Sequence, residues 1–233
     1  MFTRSAQLYD TLHASKDYAG EAGRLRRFIA AHSTGAAATL LEVACGTGRY
    51  LELLRPDIAV AGLDLDPAML ALARRRLSGV PLYQGDLADF DLERQFDVVV
   101  CLFGSIAYVR TVERLQQALA TLARHTRAGG LIVIEPWLGP EQALDGHVGA
   151  RFVDQPDYKI ARMRVSRVSG SISQLEFHYL VATPDGVEHF SERHELGIFS
   201  QADYQTAFAS AGVSAWHDPW GLGGWGLYVA VKG

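Results

Sequence analysis

The run Glu42-Val43-Ala44-Cys45-Gly46-Thr47-Gly48 constrains this chain more than any other feature. It closes an apolar stretch, Thr39 to Cys45, that reads as a buried strand, and it opens a helix predicted from about Arg49 to Leu54. Glycine lacks a Cβ, so a strand, glycine turn and helix in this order bring backbone close to a ligand. The pattern then repeats. Ile58 to Asp64 reads as a second strand, Asp66 as a cap, and Pro67 to Leu77 as a helix. Val80 to Gln84 and Phe96 to Leu102 follow as strands, Val112 to Thr126 as a helix ending near Gly129-Gly130, and Leu131 to Ile134 as a strand. Apolar strands without alternation imply a parallel sheet covered on both faces. The expected fold is α/β and Rossmann-like: a doubly wound, mostly parallel sheet of about seven strands.

Beyond Pro140 the character changes. Lys159 to Ser169, Ser173 to Thr183 and Val187 to Ile198 alternate apolar and polar residues, separated by turns at Gly170-Ser171 and Pro184-Asp185-Gly186. They predict an antiparallel block. Gln201 to Ala211 returns to helical spacing, and Trp225 to Val231 closes as a strand. Residues 1–37, with Tyr18, Ala22, Leu25, Phe28 and Ile29 on one helical face, predict an N-terminal helical cap. The expected organisation is a cap over 1–37, an α/β domain over 38–137 and 201–233, and an antiparallel β insertion over 138–200.

Of 233 residues, 48% are hydrophobic, enough to bury a full core. A net charge of -4 with interspersed signs disfavours nucleic acid as a partner. No stretch approaches the roughly 18 apolar residues that suggest a membrane span. Cys45 and Cys101 sit at strand ends outside any C-x-x-C pair, which points to a reducing, cytoplasmic setting, and the charged stretch Met1 to Asp10 without a long apolar core predicts an unprocessed soluble protein. His178, His189 and His194 lack tight metal-ligand spacing, so no metal is expected.

Three strand ends carry the ligand chemistry. A dinucleotide loop of the form G-x-G-x-x-G would place a third glycine where Leu51 stands. The loop therefore suits the amino-acid end of a phosphate-free cofactor. Asp64 ends the second strand at the distance where a carboxylate accepts from a ribose diol. Asp86, in Gln84-Gly85-Asp86-Leu87, could accept from an adenine amino group, with Leu65 and Leu87 over the ring faces.

On these residues the chain resembles class I S-adenosylmethionine-dependent methyltransferases over about residues 38 to 136. More narrowly, the whole length resembles the N,N-dimethyltransferases of nucleotide-linked deoxyamino sugars. The stretches that carry this are Lys16-Asp17-Tyr18-Ala19, Phe103-Gly104-Ser105-Ile106, Glu135-Pro136-Trp137, Glu176-Phe177-His178-Tyr179 and Gly226-Leu227-Tyr228. The resemblance implies S-adenosyl-L-methionine as cofactor and a small-molecule acceptor, and it carries the strand order. It completes a cofactor set of Tyr18, Glu42, Ala44, Gly46, Gly48, Asp64, Leu65, Met69, Asp86, Leu87 and Phe103. Tyr18 would reach the methionine end, Phe103 to Tyr108 would floor the acceptor site, and the antiparallel block would roof it. Tyr108 is the first candidate for orienting the nucleophile. Two departures stand out: the stretch before Lys16 is shortened and lacks an arginine, and Gly224-Trp225-Gly226 has tryptophan where the family has arginine. Each removes a side chain suited to phosphate.

Methyl transfer asks a protein to hold donor and acceptor in line and to exclude water. An amine acceptor must also shed a proton, for which Tyr108, His13, Glu135 and His178 are candidates beside Tyr9 and bulk solvent. Three other readings share parts of the pattern. They are a methyltransferase acting on an oxygen or another amine, a sensor that binds the cofactor without turnover, and a nicotinamide oxidoreductase. Leu51 and the lack of Tyr-x-x-x-Lys disfavour the last. The open edge of the antiparallel block invites a second copy, so a homodimer is expected.

Overall fold

A computed structural model describes residues 4–33 and 35–233; residues 1–3 and 34 of the expected cap lie outside the described residues. Five parallel strands build the frame: β1 (Thr39–Val43), β2 (Ala59–Asp64), β3 (Leu82–Gln84), β4 (Phe96–Cys101) and β5 (Thr126–Ile134). Strand β1 pairs with both β2 and β4, so the winding direction reverses there and opens a crevice at the carboxyl ends of β1 and β4.

The strands stay apolar because both faces are covered. Leu41, Val43, Val99 and Ile132 pack toward helices α5 (Val112–Arg124) and α6 (Gln201–Ser210). Their neighbours Leu40, Val98, Val100 and Val133 pack toward α2 (Tyr18–His32), α3 (Arg49–Leu54) and α4 (Pro67–Arg76). One-residue alternation thus feeds two cores. The helices begin where the side chains permit: Asp17 accepts from the Gly20 amide, Asp66 from Ala68 ahead of a first-turn Pro67, and Ser200 with Asp203 forms a capping box. A short helix α1 (Tyr9–Leu12) precedes α2.

Four antiparallel strands, β6 (Val148–Asp154), β7 (Lys159–Ser169), β8 (Ile172–Thr183) and β9 (Gly186–Gly197), form a second sheet in that order. Their inner face packs on Leu12 of α1 through Ile160, Tyr179 and Phe190, and on Ala107 through Leu175 and Leu196. The chain then returns to the first sheet as β10 (Ala215–Asp218) and β11 (Leu227–Val231), β11 running antiparallel beside β5.

Several elements differ from the sequence expectation. Helix α5 stops at Arg124, and β5 starts at Thr126, ahead of the glycine pair. Phe96 pairs with Thr126, and Lys232 exchanges backbone hydrogen bonds with Gly129 and Gly130, so ladder bonding holds a segment that composition marks as a turn. Strand β6 escaped notice because its large apolar residues Val148 and Phe152 face outward, each more than two-thirds exposed. Strand β10 was also unforeseen, and β11 begins at Leu227 rather than Trp225. Among the described residues no helix is long and apolar enough to cross a membrane.

Candidate active site

At the end of β1 the backbone enters the left-handed region three times, with φ of 57° at Ala44, 55° at Gly46 and 76° at Gly48. Gly48 is required twice over, since a Cβ there would also lie 2.5 Å from Leu77 Cδ1. A Cβ on Gly46 would instead meet no protein atom within 4 Å. It would project into a cleft walled by Tyr9, Tyr18, Glu42, Arg49 and Phe103.

Asp64 braces this loop. One carboxylate oxygen accepts from the Gly46 amide at 2.7 Å and the other from the Asp66 amide at 2.8 Å. Glu42 is 3% exposed, and its Oε2 is buried with no hydrogen-bond partner among the described residues. Burial first, and the Asp64 charge second, hold the Glu42 carboxyl well above the usual carboxylate range. Burial raises Asp64 as well. Glu42 lines the cleft, and a buried carboxyl crowded by a second acid favours a cationic ligand.

Phe103 ends β4 with φ of 56°, a costly conformation for a bulky residue. Glu135 holds it there, accepting from the Phe103 amide at 2.6 Å while its other oxygen is buried without a partner. Burial raises this carboxyl too. Lys16 lies 4.3 Å over the Phe103 ring and pairs with Glu21 at 2.7 Å. Tyr18 is buried and stands edge-on to Tyr50.

The cap is fastened to the loop. Thr47 donates its hydroxyl to Asp10 at 2.7 Å. Arg76 of α4 binds the same Asp10 carboxylate, the Thr47 carbonyl and Glu52.

Over the cleft, the Tyr108 hydroxyl lies 2.8 Å from His194 Nδ1, and His194 Nε2 lies 3.8 Å from Glu192. Burial alone would raise the Glu192 carboxyl, but hydrogen bonds from His194, the Ser5 hydroxyl and the Ser5 and Arg4 amides bring it down to about 2. An ionised Glu192 only accepts, so at 3.8 Å it favours a proton on His194 Nε2, with Nδ1 then accepting from Tyr108. His13 Nδ1 lies 2.9 Å from the Tyr9 carbonyl, and its ring stands edge-on to Phe103. Burial lowers His13 to about 4, against the Tyr9 hydrogen bond and with help from Arg162, Arg151 and Lys16. A neutral His13 therefore donates from Nδ1 and keeps Nε2 as an acceptor.

Most sequence-selected residues converge on the crevice or its rim. Leu65 is 44% exposed there, Leu87 is half-buried, and Met69 is buried beneath. Asp86 is paired with Arg114 at 2.7 Å and accepts from Ala88. His178 is not brought to the cleft. It lies on the outer face of β8, stacked on His189 and beside Glu176, because its neighbours Phe177 and Tyr179 occupy the inner face. Strand periodicity predicts two faces without saying which is inner. His194, Glu192, Arg49 and Asp10 were missed as site residues. The signal for His194 was its spacing of four from the apolar Phe190, which puts both on one strand face. Among the described residues no cluster of three His, Cys, Asp or Glu side chains is arranged to hold a metal ion.

Residues 40–130 match the family described as a methyltransferase domain. Over 230 residues the chain is 41% identical to the dTDP-3-amino-3,4,6-trideoxy-alpha-D-glucopyranose N,N-dimethyltransferase of Streptomyces venezuelae, with 97% of both chains covered. The chain belongs to the S-adenosylmethionine-dependent deoxyaminosugar N,N-dimethyltransferase family. This methyltransferase shares its fold with the crystal structure of Streptomyces venezuelae DesVI, at a TM-score of 0.91 and 40% identity over 98% of each chain. CalS10, an amino pentose methyltransferase from Micromonospora echinaspora solved with S-adenosylmethionine bound, gives 0.88 and 38% over 97% of each. Both matches extend through the antiparallel sheet as well as the methyltransferase core. S-adenosylmethionine is the cofactor, and the unpartnered Glu42 oxygen and the space in front of Gly46 suit its cationic methionine end.

Proposed function

We propose that the acceptor is the amine of a nucleotide-linked deoxyamino sugar, methylated twice. The observation that carries this is similarity to dTDP-aminosugar N,N-dimethyltransferases along essentially the whole chain, including the sheet that covers the cleft. The division follows: 1–37 as cap, 38–137 and 201–233 as the cofactor domain, and 138–200 as an acceptor lid.

Glu42, Ala44, Gly46 and Gly48 would hold the methionine end of the cofactor, with Tyr18 and Phe103 against it. Glu42 Oε2 would accept from the ammonium, and Arg49 at the first turn of α3 would face the carboxylate. Asp64 has lone pairs left for the ribose diol after its two backbone bonds. Leu65, Met69 and Leu87 would line the adenine pocket, and Asp86 would accept from the ring's amino group. When bound, the cofactor supplies an electrophilic methyl group on a sulfonium. The Tyr108 hydroxyl, held 2.8 Å from His194, would accept an amine N–H and turn the nitrogen lone pair toward the cleft. His13 Nε2 offers a second acceptor for the departing proton, and Glu135 acts through Phe103 by fixing its backbone.

Mass spectrometry of a dTDP-linked amino sugar incubated with enzyme and S-adenosylmethionine tests the reading. Successive gains of one and two methyl groups support it; methylation of oxygen acceptors alone, or of nothing, overturns it.

The unpaired cysteines fit the expected cytoplasmic setting. We also infer a homodimer through the outer face of the lid, where Val148, Phe152, Met163, Leu180 and Val187 are exposed together. Sedimentation at twice the chain mass is expected, and a monomer at working concentration contradicts it.

A further inference from the structure

The inner face of the lid carries three guanidinium groups. Arg162 stands directly opposite Arg151 across the β6–β7 ladder, and Arg164 follows two residues along the same face, opposite Gly149. The Arg164 guanidinium lies over Gly149, where a Cβ would make ordinary van der Waals contact with it at 3.6 to 3.8 Å. Arg162 lies 5.0 Å over the Phe177 ring and is hydrogen-bonded to Tyr179, and Arg151 donates to the Leu12 carbonyl.

Among the described residues none of the three makes an ion pair, whereas Arg4, Arg24, Arg26, Arg76, Arg110 and Arg114 all do. Arg164 Nε is buried with no hydrogen-bond partner at all. Like charges directly opposite in a sheet repel, and burial depresses the basicity of both Arg162 and Arg164. Folding alone gives no reason to gather uncompensated charge here. The cluster borders the cleft: Arg151 binds the Leu12 carbonyl, next to His13, whose ring stands edge-on to Phe103.

We propose that Arg151, Arg162 and Arg164 seat the diphosphate of the acceptor, supplying from the lid the phosphate contacts that the shortened N-terminal stretch and Gly224-Trp225-Gly226 do not. Planar guanidinium groups suit bidentate phosphate contacts, and the oxygens would satisfy the idle donors. The proposal rests on the nucleotide-linked reading of the acceptor.

The test is calorimetric titration of dTDP, and separately of thymidine, into enzyme saturated with S-adenosylhomocysteine. Wild type, R162Q, R164Q and the doubly substituted R162K/R164K are compared. Each glutamine variant should weaken dTDP about ten- to a hundredfold while thymidine and S-adenosylhomocysteine binding stay within about twofold. If a glutamine variant loses S-adenosylhomocysteine binding it has misfolded, and R162K/R164K decides: it keeps the charge, loses the fork, and should weaken dTDP about tenfold. Wild-type dTDP affinity in the folded variants overturns the arginine assignment and leaves the acceptor reading standing. Failure of wild type to bind dTDP, with methylation of a phosphate-free amine intact, overturns the acceptor reading and this proposal together.

Discussion

Tyr108 and His194 meet at 2.8 Å from opposite sides of the cleft, one on the turn after β4 and the other on the lid strand β9. Glu192 stands 3.8 Å behind His194 and favours Tyr108 as the donor in that hydrogen bond, which makes the three a candidate unit. Tyr108→Phe should lower kcat for the amino sugar about ten- to a hundredfold and leave the S-adenosylmethionine Kd unchanged. His194→Gln should cost less, and the double variant no more than Tyr108→Phe alone, because the histidine acts through the tyrosine. Steady-state kinetics on the three variants checks this; additive losses would separate the residues.

Asp64 joins the glycine loop to the end of β2 and has capacity left for the cofactor. Asp64→Ala should weaken S-adenosylmethionine and S-adenosylhomocysteine alike, by about ten- to a hundredfold, the usual worth of hydrogen bonds to a charged group. Calorimetry on both ligands is the measurement, and unchanged affinity removes Asp64 from the cofactor site.

Acid should destabilise the fold in two stages. His13 falls from an ordinary 6.5 to about 4 in the folded chain, so the unfolded chain binds more protons between those values. Stability from this group is present above about 6.5 and lost as pH falls toward 4. Glu192 falls from 4.5 to about 2, and its contribution is lost over that lower window. The raised carboxyls of Glu42, Asp64 and Glu135 act in the opposite sense, so thermal melts from pH 7 to pH 3 are compared between wild type and His13→Gln. His13→Gln should flatten the upper stage and leave the lower one.

Two glycines of one loop should fail differently. Gly48→Ala drives a Cβ against Leu77 at φ 76° and should cost about 1–3 kcal/mol in urea unfolding. Gly46→Ala meets no protein atom and should cost less stability, yet its methyl enters the cleft and should weaken cofactor binding more than Gly48→Ala does.

The sequence made the cofactor half of the site readable because its chemistry is local: a glycine loop between strand and helix, and acids at successive strand ends. The acceptor half depends on which lid face turns inward, and alternation alone does not say. His178 and His194 look equivalent as letters, and only packing of Tyr179 and Phe190 on Leu12 separates them. The left-handed backbone at Ala44 and Phe103 carries no sequence signature, since neither residue favours it. The Asp10, Thr47 and Arg76 junction joins residues 37 and 66 positions from Asp10, beyond any local pattern. Strand β6 was hidden because its apolar side chains face solvent, against the usual rule.

Successive residues of β6 to β9 look in opposite directions, so two independent scripts are interleaved along the same 42 residues of strand, written in alternate letters. Descendants of this chain can revise Arg162 or Phe177 and explore other acceptors while Met163 and His178 keep the outer face as it was. The reverse holds as well: the outer face can be rewritten with the inner one inherited intact.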